Sequence, residues 1–173
     1  TCSVRQHAED RVWSHLGRFR KVRPGDKKKI VAVIGCMAQN YQEDIFQRAP
    51  QVDFVVGPSD IHKIPDILEK VLLARSRAGK SNLLESKIWE TEGSLRPEEI
   101  YHTGFYEDKE HAYVVISEGC SNNCSYCVVP FVRGALRHRS LKNILREVEQ
   151  AVDKGITKVT LLGQNVNSYL DQE

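Results

Sequence analysis

Three cysteines lie within eight residues of this 173-residue chain, which has five cysteines in all. They are Cys120, Cys124 and Cys127, so the gaps between them are three residues and then two. Thiolates are the usual ligands of iron–sulfur clusters, and a four-iron cluster normally takes four of them. A loop with three thiolates would leave one iron with an open coordination position, which is where catalytic metals bind their ligands. The spacing therefore favours a catalytic four-iron cluster.

Two other uses of these thiols fit the residue types. Disulfide pairing is disfavoured, because three close cysteines cannot all pair locally and an odd total leaves one thiol over. A zinc site formed by Cys120, Cys124, Cys127 and His138 would have a tetrahedral ligand set. Zinc knuckles usually have paired two-residue gaps, so the three–two run favours the cluster. A zinc-stabilised RNA-binding module without catalysis is the alternative from another functional class.

Predicted elements on both sides of the cysteine loop determine where it lies. A β-branched run at residues 112–116 predicts a buried strand just before the loop, and residues 157–162 predict a second strand. Between them Ser140 is a predicted N-cap of an amphipathic helix that Gly155 ends. This order is a βα unit of a parallel sheet, and ligands collect at the carboxyl edge of such sheets. We therefore expect the cysteine loop and residues 163–167 to line one cavity.

The other two cysteines, Cys2 and Cys36, stand apart from the loop. Residues 3–6 have the pattern of a capping box, so Cys2 is predicted to precede a helix. Cys36 follows an apolar strand at residues 30–34, and a second capping-box pattern lies at residues 40–43. Loops on neighbouring parallel strands can meet in space. A lone Cys after a strand is, however, most often a small buried hydrophobe.

The remaining pattern divides the chain into three segments. Residues 1–75 read as an α/β unit, with a further strand at 53–56 and a helix capped by Ser59 that has Pro65 in its first turn. Residues 76–110 contain glycine, proline and many charges without a sustained period, so they are predicted to be a linker. Residues 111–173 contain the βα unit.

The cysteine motifs resemble those of a known family. The run Cys120-x3-Cys124-x2-Cys127, with an aromatic residue before the last cysteine, is similar to the cluster loop of the radical S-adenosylmethionine (SAM) enzymes. The segments around Cys2 and Cys36 resemble two of the three cysteine motifs in the amino-terminal domain of the methylthiotransferases. The resemblance to the radical SAM methylthiotransferase family covers nearly the whole chain. It implies an α/β fold, with an incomplete amino-terminal parallel sheet followed by the first βαβ unit of a partial TIM-type barrel.

The same resemblance implies two four-iron clusters, with SAM bound to the first. Cys120, Cys124 and Cys127 would hold the SAM-binding cluster, and Cys2 and Cys36 would hold an auxiliary one. Tyr126 would lie near the adenine of SAM, and Gln164 and Asn165 would meet the cofactor. An electron donor such as flavodoxin or ferredoxin is implied as a partner.

The substrate expected from the resemblance is a transfer RNA. Residues 161–169 are similar to the members that add a methylthio group to carbon 2 of N6-isopentenyladenosine beside the anticodon. Relatives that act on a ribosomal protein or on threonylcarbamoyladenosine are the alternatives. The net charge of +2 argues little for nucleic acid, but Arg133, Arg137 and Arg139 follow the cysteine loop and are predicted to hold phosphates of the anticodon stem-loop.

The resemblance also implies that the chain is an internal piece of a longer protein. A third auxiliary cysteine would lie upstream of Thr1, the barrel would continue beyond Glu173, and the piece itself would be inactive. Reduced, metal-ligating thiols suit the cytoplasm, and no apolar run is long enough to cross a membrane. A cytoplasmic monomer is therefore expected.

Overall fold

The computed structural model describes residues 1–19, 29–77, 87–93 and 110–171. The chain divides into two compact units, Thr1–Arg96 and Pro97–Glu173. Their boundary falls inside the predicted linker of residues 76–110. Both units combine helices with parallel strands, as the α/β prediction required.

The first unit is built on a parallel sheet of three strands in the order β1-β2-β3. The strands are β1 (Ala32–Ile34), β2 (Phe54–Val56) and β3 (Ile88–Glu90). The helices are α1 (Gln6–Arg18), α2 (Cys36–Tyr41), α3 (Asp44–Arg48) and α4 (Ile64–Arg77).

Alternate residues of these short strands face two separate cores, as the period of two in a strand requires. Val33 and Val55 pack in a cluster with Leu16 of α1 and Ile45 of α3. Their neighbours Phe54 and Val56 pack in a second cluster with Ile67 and Val71 of α4. Because helices cover both faces, β1 and β2 are apolar along their whole length.

Three predicted helix caps in this unit are wrong. Helix α1 begins at Gln6 after Arg5, without a side-chain cap, because the Ser3 hydroxyl donates a hydrogen bond to Glu9 instead. Residues 40–43 open no capped helix: Asn40 lies inside α2, and α3 follows Glu43 without a side-chain cap. Ser59 lies before a 3₁₀ turn at Ile61–Lys63 rather than at the start of α4. Pro65 does lie in the first turn of α4, as predicted.

Strand β3 lies within the segment predicted as a linker. It pairs in parallel with β2, and the contacts that hold it come from distant residues. The Gly57 amide donates to the Glu90 carbonyl at 2.8 Å, and the Lys63 ammonium lies 2.6 Å from the Glu90 carboxylate. The rest of the predicted linker, residues 78–86 and 94–109, lies outside the described residues.

The second unit contains the predicted βα unit. Strands β4 (His111–Val115) and β7 (Lys158–Leu162) pair in parallel, and helix α6 (Leu141–Asp153) lies between them in the chain. Ser140 is the N-cap of α6, and its hydroxyl accepts a hydrogen bond from the Asn143 amide at 3.4 Å. Ile144 and Ala151 of α6 are buried against residues of β4.

Three short elements lie between β4 and α6. They are β5 (Ser117–Glu118), α5 (Val129–Arg133) and β6 (Arg137–His138). Across the part of the chain that is described, every helix is too short or too polar to span a membrane.

Candidate functional site

The cysteine loop of the second unit leaves the carboxyl edge of the β4–β7 pair. Val115 and Leu162, the last residues of the two strands, are partners in register, and the Ile116 amide donates to the Leu162 carbonyl at 2.8 Å. Gly163 lies directly against Ser117, because a Cβ at Gly163 would be only 2.5 Å from the Ser117 hydroxyl. The loop and residues 163–167 therefore start side by side, as predicted. The cavity expected between them stays a prediction.

The loop is closed at its base by a small antiparallel ladder. Strands β5 and β6 pair Ser117 with His138 and Glu118 with Arg137. One step further out, the Cys120 amide donates to the Gly134 carbonyl at 3.1 Å. The two ends of the loop are thus joined directly beside its first cysteine.

Gly119 allows this closure. Its φ angle is +73°, a conformation that disfavours residues with a side chain. A Cβ at this position would also overlap the carbonyl oxygen of Ala135. The backbone of the returning chain therefore occupies the space that any side chain at residue 119 would need.

The three loop thiols are free and accessible to different degrees. Cys124 is exposed, whereas Cys120 and Cys127 are partly buried. The Cys127 amide donates to the Cys124 carbonyl at 3.0 Å, so a tight turn separates these two cysteines. None of the five cysteines is joined in a disulfide, so the pairing weighed above is not present.

Three free thiols on one loop are a donor set whose chemistry fits an iron–sulfur cluster. Among the residues that the structure describes, no three His, Cys, Asp or Glu side chains are arranged so that they could hold a metal ion. His138, the fourth ligand in the zinc alternative, lies on β6 and packs edge-on against Tyr169.

In the first unit, the segments that carry Cys2 and Cys36 are joined by hydrogen bonds. The Cys36 amide donates to the Thr1 carbonyl at 3.2 Å, and the Thr1 hydroxyl donates to the Ile34 carbonyl at 2.7 Å. Gly35, with φ +106°, permits the approach, since a Cβ there would lie 2.7 Å from the Thr1 carbonyl oxygen. Two cysteines that lie far apart in sequence are thus on adjoining segments.

The surroundings of these two thiols differ. Cys36 is the first residue of α2 and only 2% exposed. Cys2 is exposed, and its sulfur accepts a hydrogen bond from the Val4 amide at 3.4 Å. Hydrogen bonds to sulfur are among the interactions that tune iron–sulfur clusters.

Comparison with known proteins finds relatives for both units. The profile of Uncharacterized protein family UPF0004 matches residues 1–57, and that of the Radical SAM superfamily matches residues 114–173. A protein of Rhodopirellula baltica named tRNA-2-methylthio-N(6)-dimethylallyladenosine synthase is 40% identical over 98% of this chain. Proteins of the same name from Dictyoglomus thermophilum and Paraburkholderia xenovorans are 38% and 39% identical, again over 98% of the chain.

Over nearly its whole length the chain is thus similar to the radical SAM methylthiotransferases. It spans about a third of the length of these relatives, 36% of the first two and 35% of the third.

The residues that the methylthiotransferase resemblance assigns to the cofactor lie at the expected edge. Tyr126 follows Cys124 in the tight turn, and its side chain is 90% exposed. Gln164 is exposed, and Asn165 donates through its amide to the Ser168 hydroxyl at 2.7 Å. Their contact with SAM stays a prediction.

Of the three arginines predicted to hold RNA phosphates, Arg133 lies on the returning part of the loop and Arg137 lies in β6 at its base. Arg133 is the last residue of α5 and partly buried. The guanidinium of Arg137 lies 3.8 Å from the Glu118 carboxylate and also reaches the Arg133 carbonyl at 3.5 Å. Their contact with phosphates stays a prediction.

Arg139 lies in an environment that does not suit a phosphate contact. The residue is 4% exposed, and its guanidinium donates to the Glu147 carboxylate and to the Val115 carbonyl, both at 2.6 Å. Tyr169 in turn donates to the Arg139 carbonyl at 3.0 Å. The prediction for Arg139 needs correction: the residue joins β4, α6 and the segment after β7 from inside the unit.

Sequence reasoning missed two residues that organise the cysteine segments. Glu9 on α1 accepts hydrogen bonds from Ser3 and Tyr41, and Glu118 pairs with Arg137 at the base of the loop. The one available signal for Glu9 was a carboxylate close to the apolar positions of an amphipathic helix.

Proposed function

We propose that this chain is part of an enzyme that adds a methylthio group to carbon 2 of N6-dimethylallyladenosine, also called N6-isopentenyladenosine, in tRNA. The observation that carries the proposal is the match to relatives of that name at 38–40% identity over 98% of the chain. The run at residues 161–169 supports the same substrate over a ribosomal protein or threonylcarbamoyladenosine.

Cys120, Cys124 and Cys127 are the proposed ligands of the cluster that binds SAM. When bound, the cluster and SAM together supply a carbon radical that activates the adenine ring. The chain's own contribution is to fix the loop through the β5–β6 ladder and to present the exposed Tyr126 ring, which can stack on a purine.

Cys2 and Cys36 are the proposed ligands of a second cluster. Support comes from the hydrogen bonds that join their segments through Thr1, Ile34 and Gly35. The two sulfurs have different access to solvent, because Cys36 is buried and Cys2 is exposed. Cys36 therefore provides a fixed ligand and Cys2 one that can be reached from outside.

Arg133 and Arg137 are the proposed contacts to the anticodon stem-loop, and a low-potential donor such as flavodoxin or ferredoxin is the proposed source of electrons. Guanidinium groups bind phosphate oxygens without reading the base sequence, so these residues would position the RNA rather than select it. Reduced thiols that ligate metal suit the cytoplasm, which is the proposed compartment.

The test uses the full-length protein, reconstituted with iron and sulfide without oxygen. Two four-iron clusters predict about eight irons per chain, and the triple substitution C120A/C124A/C127A should remove about half of them. SAM should shift the electron paramagnetic resonance (EPR) signal of the reduced parent protein and leave that of the triple variant unchanged.

The substrate is tested in cells. A strain that lacks the gene should lack the methylthio nucleoside in its tRNA, and the triple variant should fail to restore it. Colourless protein with one tightly bound zinc would overturn the enzyme proposal. If the strain that lacks the gene keeps the methylthio nucleoside in its tRNA but loses a methylthio group from a ribosomal protein, the proposed tRNA substrate is wrong.

A further inference from the structure

A buried carboxylate connects the two cysteine segments of the first unit. Glu9 lies on α1 and is 5% exposed. One of its oxygens accepts a hydrogen bond from the Ser3 hydroxyl. The other accepts a hydrogen bond from the Tyr41 phenol at 2.7 Å.

These two partners belong to the two chain segments that carry the cysteines. Ser3 follows Cys2 directly, and Tyr41 is the last residue of α2, the helix that begins with Cys36. A single carboxylate on a third element therefore holds both segments, and it does so in addition to the backbone bonds through Thr1.

The two segments depend on Glu9 to different degrees. Cys36 is fixed by its burial and by helix α2. Cys2 is exposed and precedes α1 in a non-helical stretch. On the carboxyl side of Cys2, the Ser3–Glu9 bond is the side-chain link that ties this stretch to the rest of the unit.

The chemistry of Glu9 is unusual for a residue that only packs. Burying a carboxylate is unfavourable unless hydrogen bonds compensate it, and an apolar side chain would fill such a place without that penalty. The hydrogen bond to Glu9, assisted by burial, also raises the pKa of Tyr41, so the phenol keeps its proton as a donor.

We propose that Glu9 is a positioning residue for the second cluster, holding Cys2 in register with Cys36. The proposal rests on the proposed function, since it assumes that these two thiols ligate one cluster. Residues that orient metal ligands from behind typically change metal affinity 10- to 100-fold when removed.

The experiment uses the full-length protein with C120A/C124A/C127A, so that the second cluster is the one observed. Glu9→Ala removes both acceptors, Glu9→Gln keeps one amide oxygen, and Tyr41→Phe removes one hydroxyl. Asp10→Asn is the matched control, because Asp10 is the exposed neighbouring acid and accepts a bond from Gln6. Three properties are measured: iron release to a chelator, the EPR signal of the reduced cluster, and hydrogen exchange of residues 1–5 in the metal-free protein.

We expect Glu9→Ala to release iron about tenfold faster, with a changed EPR line shape and faster exchange confined to residues 1–5. Glu9→Gln and Tyr41→Phe should be intermediate, and Asp10→Asn should match the parent. A general loss of stability would instead speed exchange throughout the first unit and leave the EPR signal unchanged.

Two negative results have different meanings. If Cys2→Ala loses the cluster while Glu9→Ala and Tyr41→Phe behave like the parent, the role of Glu9 is wrong and the cluster stands. If Cys2→Ala keeps its iron, the second cluster of the proposed function is wrong. Should Glu9→Ala fail to fold, Tyr41→Phe decides: parent-like iron release and exchange in that variant overturn the proposal.

Discussion

Gly119 and Gly134 both have positive φ angles, +73° and +75°, but they differ in what surrounds them. A Cβ at Gly119 would overlap the backbone of Gly134 and Ala135, whereas a Cβ at Gly134 would meet nothing within 4 Å. The pair therefore separates the penalty of an unusual backbone conformation from the penalty of a collision.

We expect Gly134→Ala to keep its iron and to cost about 1–3 kcal/mol of unfolding free energy, because its φ of 75° and ψ of −171° lie in a region that is essentially restricted to glycine. Gly119→Ala should cost more and should lose the proposed SAM-binding cluster, because the overlap opens the base of the loop beside Cys120. Thermal unfolding and iron content of the full-length protein measure both effects. Equal behaviour of the two variants would show that the close approach at Gly119 is unimportant.

The buried ion pair of Arg139 and Glu147 supports a second prediction. Removing one partner of a buried pair leaves an uncompensated charge, which destabilises by about 3–5 kcal/mol. We expect Arg139→Met to lower the unfolding temperature strongly, and Arg139→Met/Glu147→Leu to recover most of the loss. The matched control is Arg137→Met, since Arg137 is more exposed and lies farther from its carboxylate.

This series also tests the corrected role of Arg139. The double variant should bind tRNA like the parent, because the buried guanidinium is not available to phosphates. A stable Arg139→Met protein with weakened tRNA binding would return Arg139 to the RNA-binding set.

At the scale of elements, the Tyr41–Glu9 hydrogen bond joins α2 to α1. The bond raises the pKa of Tyr41 above its ordinary value near 10. Because the folded pKa lies above the unfolded one, the bond's contribution to stability is complete below about pH 10. It is lost as the pH rises through the folded pKa, where the phenolate would face the Glu9 carboxylate.

We therefore expect Tyr41→Phe to be less stable than the parent by about 1.5 kcal/mol at pH 8, a typical value for a hydrogen bond to a charged group. The difference should shrink by pH 11. Urea unfolding of both proteins at the two pH values measures it, and the comparison cancels the titration of other groups. A difference that stays constant or grows between pH 8 and pH 11 would contradict the assignment.

Local signals were enough to predict the elements of the βα unit. Ser140 and Gly155 sit at the ends of α6, and the apolar runs predicted β4 and β7 within one or two residues. Strands β3, β5 and β6 have two or three residues each and depend on partners far away in sequence. Unlike the equally short β1 and β2, which lie in apolar runs, these strands contain polar or charged residues, so no apolar run marks them in the sequence.

The candidate site was likewise predictable from the sequence only in part. The spacing of Cys120, Cys124 and Cys127 indicates its chemistry without a structure. The roles of Glu9 and Arg139 arise from contacts across the fold, and sequence separation gives no guide to them. The Ser3 hydroxyl illustrates the difficulty, since the local pattern predicted that it would accept a bond from a helix amide, whereas it donates to the Glu9 carboxylate.

At the scale of the whole molecule, a net charge of +2 leaves RNA binding to local basic groups. Arg133 and Arg137 lie at the end of β4–β7 that bears the thiol loop, whereas Lys158 starts β7 at the opposite end and Lys154 precedes it in the chain. Replacing either pair with glutamine therefore removes two positive charges, at opposite ends of the β4–β7 pair.

We expect Arg133→Gln/Arg137→Gln to weaken tRNA binding of the full-length protein and to reduce its salt dependence by about one unit of slope per lost phosphate contact. Lys154→Gln/Lys158→Gln should change both much less. Affinity measured by filter binding over a range of salt concentrations gives both quantities. Equal effects of the two pairs would indicate that only total charge matters.

The ladder between β5 and β6 has a consequence for how such proteins can diversify. The β5–β6 ladder and the Cys120–Gly134 hydrogen bond join the two ends of the thiol loop. The loop can therefore differ in length without a change in the pairing of β4 with β7. Insertions or deletions after Cys127 could reshape the outer surface without shifting either strand. The three loop thiols precede that point in the chain, so such changes would leave both their spacing and the ladder intact.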